Sequence, residues 1–301
     1  MIVAGIVTYE PDLERLRENL LSIISQVDAV IVFDNSAGHS DLIAGLLSDL
    51  GGSAEVMSNG ENLGVATALN LLAVAAVERG AKYLVTLDQD SVSPPGMVDI
   101  LLEAMGQRVA VVTPYIVDRN KITVADYRDM DLPMIEVYRQ PARRGAITSG
   151  SLVDLKAWSH VGGFDDRFFI DYVDYEFNQR IMGAGYAIVR ANRTYLLHEV
   201  GRARKTWLKV PRRDLSGHWR LESFYSFGHG AERCYYKARN RVLFTRKHGR
   251  ELGISHEGIW QIPQQVVLTV LFETEKLDKV KAFWRGIIDG VRMPLDTAVG
   301  K

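Results

Sequence analysis

The sequence predicts an α/β fold in which a mostly parallel sheet is covered by helices on both faces. Apolar runs of strand length alternate with helical patterns from residue 2 to about residue 113. The strand runs are largely apolar, as expected of strands that are buried on both faces. A polar cluster follows each of the first four strands. Because ligands of parallel α/β sheets bind at the carboxyl ends of the strands, these clusters predict one shared crevice.

The first part of the chain contains five predicted strands separated by four predicted helices. The strands are residues 2–8, 29–33, 54–57, 83–87 and 109–113. The helices are residues 13–25, 41–50, 65–79 and 96–105. This order predicts stacked βαβ units.

The regular alternation ends after residue 113. Residues 115–145 are irregular and polar, which suits a long loop or a short added hairpin, and 146–155 is predicted as another strand. A helix is predicted over 173–183, followed by a strand over 187–197. The last strand ends at a histidine, where the composition begins to change.

The C-terminal third of the chain has a different character. The basic stretch 202–220 is predicted as loop, whereas 231–248 and 264–291 carry the apolar spacing of helices. We therefore predict an α/β domain over residues 1–205. A mostly helical region, 206–301, would contact an acceptor, a membrane surface or a second subunit.

Charge is distributed unevenly, although the net charge of the 301-residue chain is only −1. The segment from Arg190 to Arg250 holds 16 Lys and Arg against 4 Asp and Glu. Since the chain has 36 basic and 37 acidic residues, 20 basic and 33 acidic residues remain elsewhere. Such a segment attracts phosphates or an anionic membrane surface, whereas the near-neutral total argues against general nucleic-acid binding. An ordinary solvated surface is the alternative.

The location expected from the sequence is the cytoplasm. The single cysteine, Cys234, cannot form an intrachain disulfide, which suits a reducing compartment. The N-terminus enters an apolar strand without a basic leader, and no run of about 18 apolar residues occurs. We therefore expect no signal peptide and no spanning helix. The basic segment adds the expectation of peripheral contact with the inner face of the cell membrane.

The turn Asp88-Gln89-Asp90 closes a buried strand and places two carboxylates one residue apart. Because side chains alternate along a strand, both carboxylates can face one cation while Gln89 points elsewhere. Mg²⁺ and Mn²⁺ bind through carboxylates together with substrate phosphates and water. An ordinary turn is the alternative, since Asp is a common turn residue. Two like charges at the mouth of a crevice need a cation to offset their repulsion, so we predict a metal site.

Polar residues near the other strand ends are candidates for holding a nucleotide. Asn62-Leu-Gly64 precedes an Ala-rich helix whose first amides can approach a ribose or pyrophosphate, and Asn70 lies further along that helix. Gly64 permits a close approach because it has no side chain. Asp34 can accept a hydrogen bond from a nucleobase imide or a ribose hydroxyl. Helix capping and ordinary turn chemistry are the alternatives.

Three carboxylates, Asp171, Asp174 and Glu176, lie among aromatic residues where a helix is predicted to begin. A carboxyl that is partly desolvated by aromatic neighbours has a raised pKa and can remove a proton from an acceptor hydroxyl. We choose Asp174 as this base, while Glu176 fixes the helix or orients a neighbour and Asp171 stays undecided. A helix N-cap or a favourable first-turn charge is the alternative for these acids.

Two further positions flank these acids. Ser149-Gly150 lies in a small-residue strand where a substrate can pass close to the backbone, with a structural role as the alternative. His198 ends a strand and precedes a basic stretch. Its imidazole can join the metal or a phosphate, and the following cations can hold a departing diphosphate. A structural histidine is again the alternative.

Seven short motifs, in chain order and at fitting distances, resemble glycosyltransferase family 2 over residues 2–200. They are Thr8-Tyr9, Asp34-Asn-Ser, Asn62-x-Gly64 with Asn70, Asp88-x-Asp90, Ser149-Gly-Ser, Gly163-Phe-Asp and Asp174-Tyr-Glu176. The run from Glu232 to Arg241 and the opening Thr-Tyr-Glu-Pro-Asp12 are similar to the bacterial rhamnosyltransferase branch of this family. The family often has Glu-Asp-x-Asp where this chain has Val173-Asp-Tyr-Glu176, so the charges that support the base differ.

The resemblance implies a GT-A fold, inversion at the anomeric carbon, and dTDP-β-L-rhamnose as donor with an α-L-rhamnoside as product. By position it assigns Asp174 as the base and Mg²⁺ or Mn²⁺ as the cofactor. The residues assigned to the nucleotide sugar are Thr8, Tyr9, Asp34, Asn62, Gly64, Asn70, Asp88, Gln89, Asp90, Ser149 and Gly150. The metal ligands would be Asp90, Asp88 and His198, and the acceptor-side residues Asp171, Glu176, Arg239 and Asn240.

The expected acceptor is a saccharide or a lipid-linked intermediate of a cell-surface polysaccharide such as O-antigen lipopolysaccharide. A UDP-sugar, for example a galactofuranosyl or glucosyl donor, is the alternative within the family. A catalytically silent protein that binds sugar nucleotides or glycans would keep the same fold. A dinucleotide-dependent oxidoreductase is disfavoured, because it needs Gly-x-Gly-x-x-Gly after the first strand and this chain has Thr-Tyr-Glu-Pro there.

Overall fold

The computed structural model describes residues 1–51, 53–138, 146–199, 204–213, 219–226, 228, 230–252, 258–259 and 261–295. Within them the chain forms two compact units, Met1–Glu199 and a second unit made of the residues after Glu199. The division near residue 205 and the roles of the two domains stay predictions. Parts of the segments considered above, at 139–145, 200–203 and 214–218, lie outside the described residues.

A mixed sheet of eight strands forms the centre of the first unit. Its strands are β1 (Ile2–Thr8), β2 (Ala29–Asp34), β3 (Ala54–Ser58), β4 (Tyr83–Asp88), β5 (Val109–Asp118), β6 (Ile135–Tyr138), β7 (Ser151–Asp154) and β8 (Ala187–His198). Their order in space is β3-β2-β1-β4-β7-β5-β8-β6. The first four strands are parallel to one another, and β5 is parallel to β8. Strand β7 is antiparallel to β4 and β5, and β6 is antiparallel to β8. The carboxyl ends of β1, β2 and β4 therefore meet at one edge.

Helices cover both faces of this sheet. They are α1 (Leu13–Ile23), α2 (Ser40–Leu50), α3 (Val65–Glu78), α4 (Met97–Glu103), α5 (Val124–Arg128), α6 (Leu155–His160) and α7 (Val173–Gly183). The start of α1 shows how local sequence sets these elements. The Asp12 side chain accepts hydrogen bonds from the backbone N–H groups of Glu14 and Arg15, which otherwise lack partners at a helix start.

Two apolar layers lie on opposite faces of the sheet because strand side chains alternate. One layer joins strand residues such as Ile6 and Val32 to α1, α2 and α4. The other joins residues such as Ile31 to α3. An added Cβ at Gly5 would lie 3.1–3.3 Å from Leu84 and Leu72, so Gly5 allows α3 to pack closely on β1. Each fully buried aliphatic side chain contributes about 2 kcal/mol to this core.

The first five predicted strands are confirmed, and the strand predicted over 146–155 is shorter than expected. Only Ser151–Asp154 pairs as β7. The preceding residues form a turn because Gly150 adopts φ = 80°, a conformation that is incompatible with a strand. In the described part of the polar segment, 115–138, β5 continues to Asp118 and a short helix and β6 follow, so this part is more regular than a long loop.

The second unit contains a hairpin and three long helices among its described residues. They are β9 (Arg204–Arg213), β10 (Trp219–Ser226), α8 (Ala231–Leu252), α9 (Gln261–Phe272) and α10 (Lys276–Arg292). The prediction of loop was wrong for the described residues of 202–220, since 204–213 and 219–220 are strand. Lys205 to Val210 alternate between exposed and partly buried side chains, as strand residues do. The helical pattern over 264–291 divides at Glu275, which has φ = 52°.

Helices α8 and α10 approach each other closely through two glycines. An added Cβ at Gly286 would lie 2.3 Å from the Tyr235 carbonyl oxygen, and one at Gly290 would lie 2.6 Å from the Arg239 carbonyl oxygen. Phe283 and Ala282 of α10 pack with Ala238 in the same apolar cluster. In the part of the chain that the structure describes, no helix is both long enough and apolar enough to cross a membrane.

Candidate active site

The side chain of Gln89 joins the turns that follow β1 and β4. Val7 pairs with Asp88 across these strands, so Gln89 lies directly at the edge of the sheet. The backbone N–H of Tyr9 donates to Gln89 Oε1 at 2.7 Å, and Gln89 Nε2 donates to the Tyr9 carbonyl at 3.3 Å. These two bonds fix the backbone of Tyr9 and leave its ring exposed.

Asp34, at the end of β2, is buried and bound to its own loop. Its Oδ1 accepts from the Ser36 N–H at 3.0 Å, and its Oδ2 accepts from the His39 N–H at 3.2 Å and the Ser40 hydroxyl at 2.9 Å. Thr8 is also buried, beside Asp34 in the strand register. The structure therefore gives Asp34 a loop-fixing role, and nucleotide contacts of Thr8 and Asp34 stay predictions.

Asn62 and Gly64 form a short turn before α3 that Asn35 supports. Asn35 Nδ2 donates to Asn62 Oδ1 at 3.0 Å, and the same oxygen accepts from the Gly64 N–H at 2.9 Å. Asn35 Oδ1 in turn accepts from the Leu63 N–H at 2.8 Å. Gly64 has φ = 83°, which disfavours any residue with a side chain. The loop thus holds its backbone in place without ligand.

The acidic turn, residues 88–90, meets His198 at the end of β8. His198 Nε2 lies 3.9 Å from Asp88 Oδ2, and its Nδ1 lies 3.6 Å from Asp90 Oδ1. Two serine hydroxyls connect His198 to the backbone of the acidic turn. Ser91 Oγ lies 3.2 Å from His198 Nδ1 and 2.8 Å from Ser149 Oγ. Ser149 Oγ also accepts a hydrogen bond from the Asp88 N–H at 3.0 Å. The structure therefore brings together all three predicted metal ligands.

The acidic turn fits a divalent cation on the evidence of its own side chains. Asp90 Oδ1 is buried without a hydrogen-bond partner among the described residues. Burial raises the pKa of Asp90, the nearby His198 lowers it, and the charge of Asp88 raises it again. Within the described ranges no three His, Cys, Asp or Glu residues converge as a complete metal site. The turn is therefore suited to supply one or two ligands, with substrate phosphates and water completing the shell.

Asp174 occupies the first turn of α7 and is partly buried. Its Oδ1 accepts a hydrogen bond from the Tyr175 N–H at 2.8 Å. Burial, assisted by the negative charges of Asp171 and Asp88, raises the pKa of the Asp174 carboxyl to about 7, against the effect of that hydrogen bond. A carboxyl with a pKa near neutrality can both take up and release a proton near pH 7.

The base segment, residues 168–176, has an unusual backbone. Phe169, Asp171 and Tyr172 have φ values of 41°, 63° and 68°, although none is glycine. Each such residue costs about 1–2 kcal/mol. The Phe169 carbonyl accepts from the Val65 N–H at the start of α3, and an added Cβ at Gly64 would lie 2.5 Å from the Phe169 ring. The base segment is therefore tied to the loop predicted to bind the nucleotide.

An ion pair between the fully buried Glu176 and the partly buried Arg180 anchors the base segment. Arg180 Nη2 donates to Glu176 Oε2 at 2.6 Å, and Arg180 Nε donates to both Glu176 oxygens at 2.8 and 2.9 Å. The same guanidinium donates to the carbonyls of Val161 and Gly163 at 2.6 and 2.7 Å. Glu176 is fully buried. The structure gives it the helix-fixing role rather than an acceptor contact.

Asn70 is a second anchor, reaching from α3 to the turn before the base segment. Its Nδ2 donates to the Phe164 carbonyl at 2.8 Å and to Asp166 Oδ1 at 2.7 Å. Its Oδ1 accepts from Trp158 Nε1 at 3.2 Å and from the Phe164 N–H at 2.8 Å. All hydrogen-bonding positions of this amide are thus used inside the protein, and none is left for the nucleotide contact expected from the sequence.

The model of glycosyl transferase family 2 matches residues 4–154, which is half of the chain. This chain belongs to glycosyltransferase family 2. The dTDP-rhamnosyl transferase RfbF of Shigella flexneri is 25% identical to it over 97% of this chain and 95% of that protein.

Solved structures with the same fold include the mannosyltransferase PcManGT from Pyrobaculum calidifontis, in complex with GDP-Man and Mn²⁺. It has a TM-score of 0.55 and 14% identity, over 97% of this chain and 86% of that one. The fold of this family 2 chain is therefore of the GT-A type. S. aureus TarS 1-349 has a TM-score of 0.49 and 13% identity, and the match spans 66% of this chain and 60% of that one.

Two predicted residues of this family 2 chain lie in the second unit. Arg239 and Asn240 are both buried in α8. Arg239 Nε donates to Asn240 Oδ1 at 2.9 Å, and its guanidinium lies 4.6 Å from the ring centroid of Tyr236. A contact of these residues with the acceptor stays a prediction.

The structure also assigns roles to residues that the sequence analysis did not select. Ser91, Phe169 and Arg180 each contact a residue that was predicted for the site. Asn35, which had no predicted role beyond its place in the Asp34-Asn-Ser motif, contacts Asn62. A signal was present for Arg180, because a Glu and an Arg four positions apart on a helix face each other. Ser91 directly follows the acidic turn, but nothing in a sequence shows which of several serines faces a given imidazole.

Proposed function

We propose that this chain transfers an L-rhamnosyl group from dTDP-L-rhamnose, with inversion, to a saccharide or lipid-linked acceptor of cell-surface polysaccharide synthesis such as O-antigen. The observation that carries the proposal is the Asp174 carboxyl, whose pKa of about 7 suits a base, beside the acidic turn of a GT-A fold. The choice of donor is supported by similarity to the Shigella flexneri protein along nearly the whole chain.

The transfer is a single displacement. The ionised Asp174 accepts the proton of the acceptor hydroxyl as that oxygen forms its bond to the anomeric carbon. The bond between this carbon and the diphosphate oxygen breaks, and its electron pair leaves with dTDP. Attack opposite to the departing diphosphate inverts the anomeric configuration. The two anchors, Asn70 and the Glu176–Arg180 pair, keep Asp174 in position during this step.

The acidic turn acts on the diphosphate that leaves the anomeric carbon. Asp90 and Asp88, with His198, would hold Mg²⁺ or Mn²⁺, which supplies positive charge to the departing diphosphate. The unpartnered Asp90 Oδ1 is the side-chain atom best suited to this role. Tyr9 presents an exposed ring beside the turn, where a thymine base can stack.

The proposal places the reaction in the cytoplasm, with peripheral contact at the inner face of the membrane. The only cysteine of the chain is buried, which agrees with a compartment where structural disulfides are not required. A homodimer stays a prediction.

A panel of nucleotide sugars tests the proposal. The full chain is incubated with dTDP-L-rhamnose, UDP-glucose or UDP-galactofuranose, with saccharide or polyprenyl-linked acceptors and with Mn²⁺, Mg²⁺ or chelator. We expect acceptor-dependent release of dTDP, and product NMR that shows the inverted anomer. Release of UDP instead would replace the donor, a retained anomer would refute the displacement, and tight nucleotide binding without turnover would favour a silent binding protein.

A further inference from the structure

Helix α10 has two faces of different character, and only one of them is packed. Lys279, Ala282, Phe283, Gly286 and Gly290 are buried. The glycines lie against the backbone of α8, and Lys279 Nζ pairs with Glu273 at 2.9 Å. One side of the helix is therefore fully occupied within the second unit.

The opposite side of α10 carries an exposed apolar stripe. Leu277, Trp284, Ile288 and Val291 are 77%, 63%, 44% and 56% exposed. Their spacing of seven, four and three residues places them on one line along the helix. Four large apolar side chains in a row, facing away from the packed side, exceed the scattered exposed apolar residues that are normal for a protein surface.

Basic residues border this stripe along one side. Lys281, Arg285 and Arg292 are exposed there, and Asp278 is the single acidic residue on the exposed side of α10. Lys281 Nζ lies 4.0 Å from Asp278, and Arg285 lies over the Tyr235 ring at 5.3 Å. The exposed side of α10 thus combines Trp, aliphatic residues and a net positive charge, which is the composition of helices that lie in a membrane interface.

We propose that α10 binds the surface of an anionic phospholipid membrane, with the stripe inserted among the headgroups and the bordering cations against lipid phosphates. The charges favour this occupant over a second copy of the chain. Two copies paired through the stripe would bring their cations together with one acid each to offset them, whereas an anionic surface complements every cation. The inference rests on the peripheral membrane contact of the proposed function and names the helix that makes this contact, but it does not depend on the donor or the chemistry.

Vesicle co-sedimentation of the full chain tests this inference. We expect binding to vesicles of phosphatidylcholine and phosphatidylglycerol in equal parts, little binding to phosphatidylcholine alone, and weakening at high salt. The variant W284Q/I288Q should bind about tenfold more weakly, since both side chains are exposed and Gln is a good helix former. K281E/R292E should weaken binding about 25-fold or more, because each surface cation contributes roughly fivefold and the two new carboxylates are repelled by the anionic lipids.

The matched control is L42Q/V74Q, which alters exposed apolar residues on helices of the first unit and should bind as the parent does. Circular dichroism confirms that each variant keeps its helices. Three results would overturn the inference: no binding to anionic vesicles, equal loss in the control and stripe variants, or a dimer in analytical ultracentrifugation that W284Q/I288Q abolishes without any vesicle binding by the parent. Donor turnover, measured without vesicles, reports separately on the proposed function.

Discussion

The base segment and the acidic turn face the same edge of the sheet but are built in opposite ways. The base segment is held by a strained backbone and by anchors behind it, the Asn70 amide and the Glu176–Arg180 pair. The acidic turn has more exposed carboxylates and is held by neutral groups, the Gln89 amide and the Ser91 and Ser149 hydroxyls.

This difference separates two chemical tasks. Burial raises the pKa of Asp174 to about 7, so this carboxyl can exchange a proton at neutral pH. The acidic turn instead gathers negative charge, and one Asp90 oxygen accepts no hydrogen bond from the described residues, which suits a cation and a diphosphate. If the comparison is right, substitutions on the two sides change different measured quantities.

The largest effect is expected for D174A. Removing the base should lower turnover about 1,000-fold or more, whereas affinity for dTDP should stay within about twofold because the acidic turn is intact. Turnover is measured by dTDP release and affinity by calorimetry. D99N, at an exposed acid in the first turn of α4, is the matched control and should keep parental turnover. Turnover of D174A near the parental value would remove Asp174 from the mechanism.

The next largest effect is on stability, and it tests whether Glu176 anchors the base segment. E176A removes the fully buried carboxylate that pairs with the partly buried Arg180 guanidinium, so the free energy of unfolding should fall by about 3 kcal/mol. Urea titration measures this loss. E103A removes an exposed pair with Arg193 and should change stability little. Equal losses in both variants would mean that Glu176 anchors nothing.

The contrast between the two sides was only partly predictable from the sequence. Strand ends and helix starts follow from local patterns. The acidic turn at the end of a strand and the carboxylates at the start of α7 could therefore be located from the sequence, and the aromatic neighbours of Asp174 favoured it as the base. The Asn70 anchor depends on contacts across 94 and 96 positions of chain, to Phe164 and Asp166, which no local pattern encodes. Because these contacts are not visible in the sequence, the position of Asn70 on α3 suggested a nucleotide contact instead.

The hairpin of the second unit, β9 and β10, is another feature that was not predicted from the sequence. The basic composition of 202–220 favours a loop. From Lys205 to Val210 the apolar Trp207 and Leu208 are adjacent, so the period-two alternation of a strand is seen in the exposure of the side chains and not in the order of polar and apolar residues. A residue in the left-handed conformation, such as Glu275 between α9 and α10, also had no signal in the sequence, because neither Gly nor Asn marks the break.

D90N tests the other half of the comparison. Loss of one carboxylate charge from the acidic turn should lower turnover about 100-fold in Mn²⁺ and weaken Mn²⁺-dependent dTDP binding, while dTDP binding in chelator stays as in the parent. Chelator should abolish turnover of the parent, and added Mn²⁺ or Mg²⁺ should restore it. If D90N keeps the parental response to Mn²⁺, the acidic turn is not the metal site.

The smallest effect is a pH dependence of kcat/KM that arises from the Asp174 carboxyl of the base segment. Asp174 must be ionised to accept a proton, and its pKa is about 7, so kcat/KM should rise as pH increases towards 7 and level off above about 8. From pH 7 to pH 6 the ionised fraction falls about fivefold. Calorimetric dTDP affinity, which does not require the base, should change less over this range.

D171N sharpens this test, because the negative charge of Asp171 helps to raise the pKa of Asp174 and Asn tolerates the left-handed backbone at that position. Removing this charge should move the acidic limb of the kcat/KM profile to lower pH, whereas D99N should leave it in place. A parental limb with its midpoint near pH 4 would show that burial does not raise the pKa of the base. A limb that D171N does not move would show that the charge of Asp171 does not contribute to that pKa.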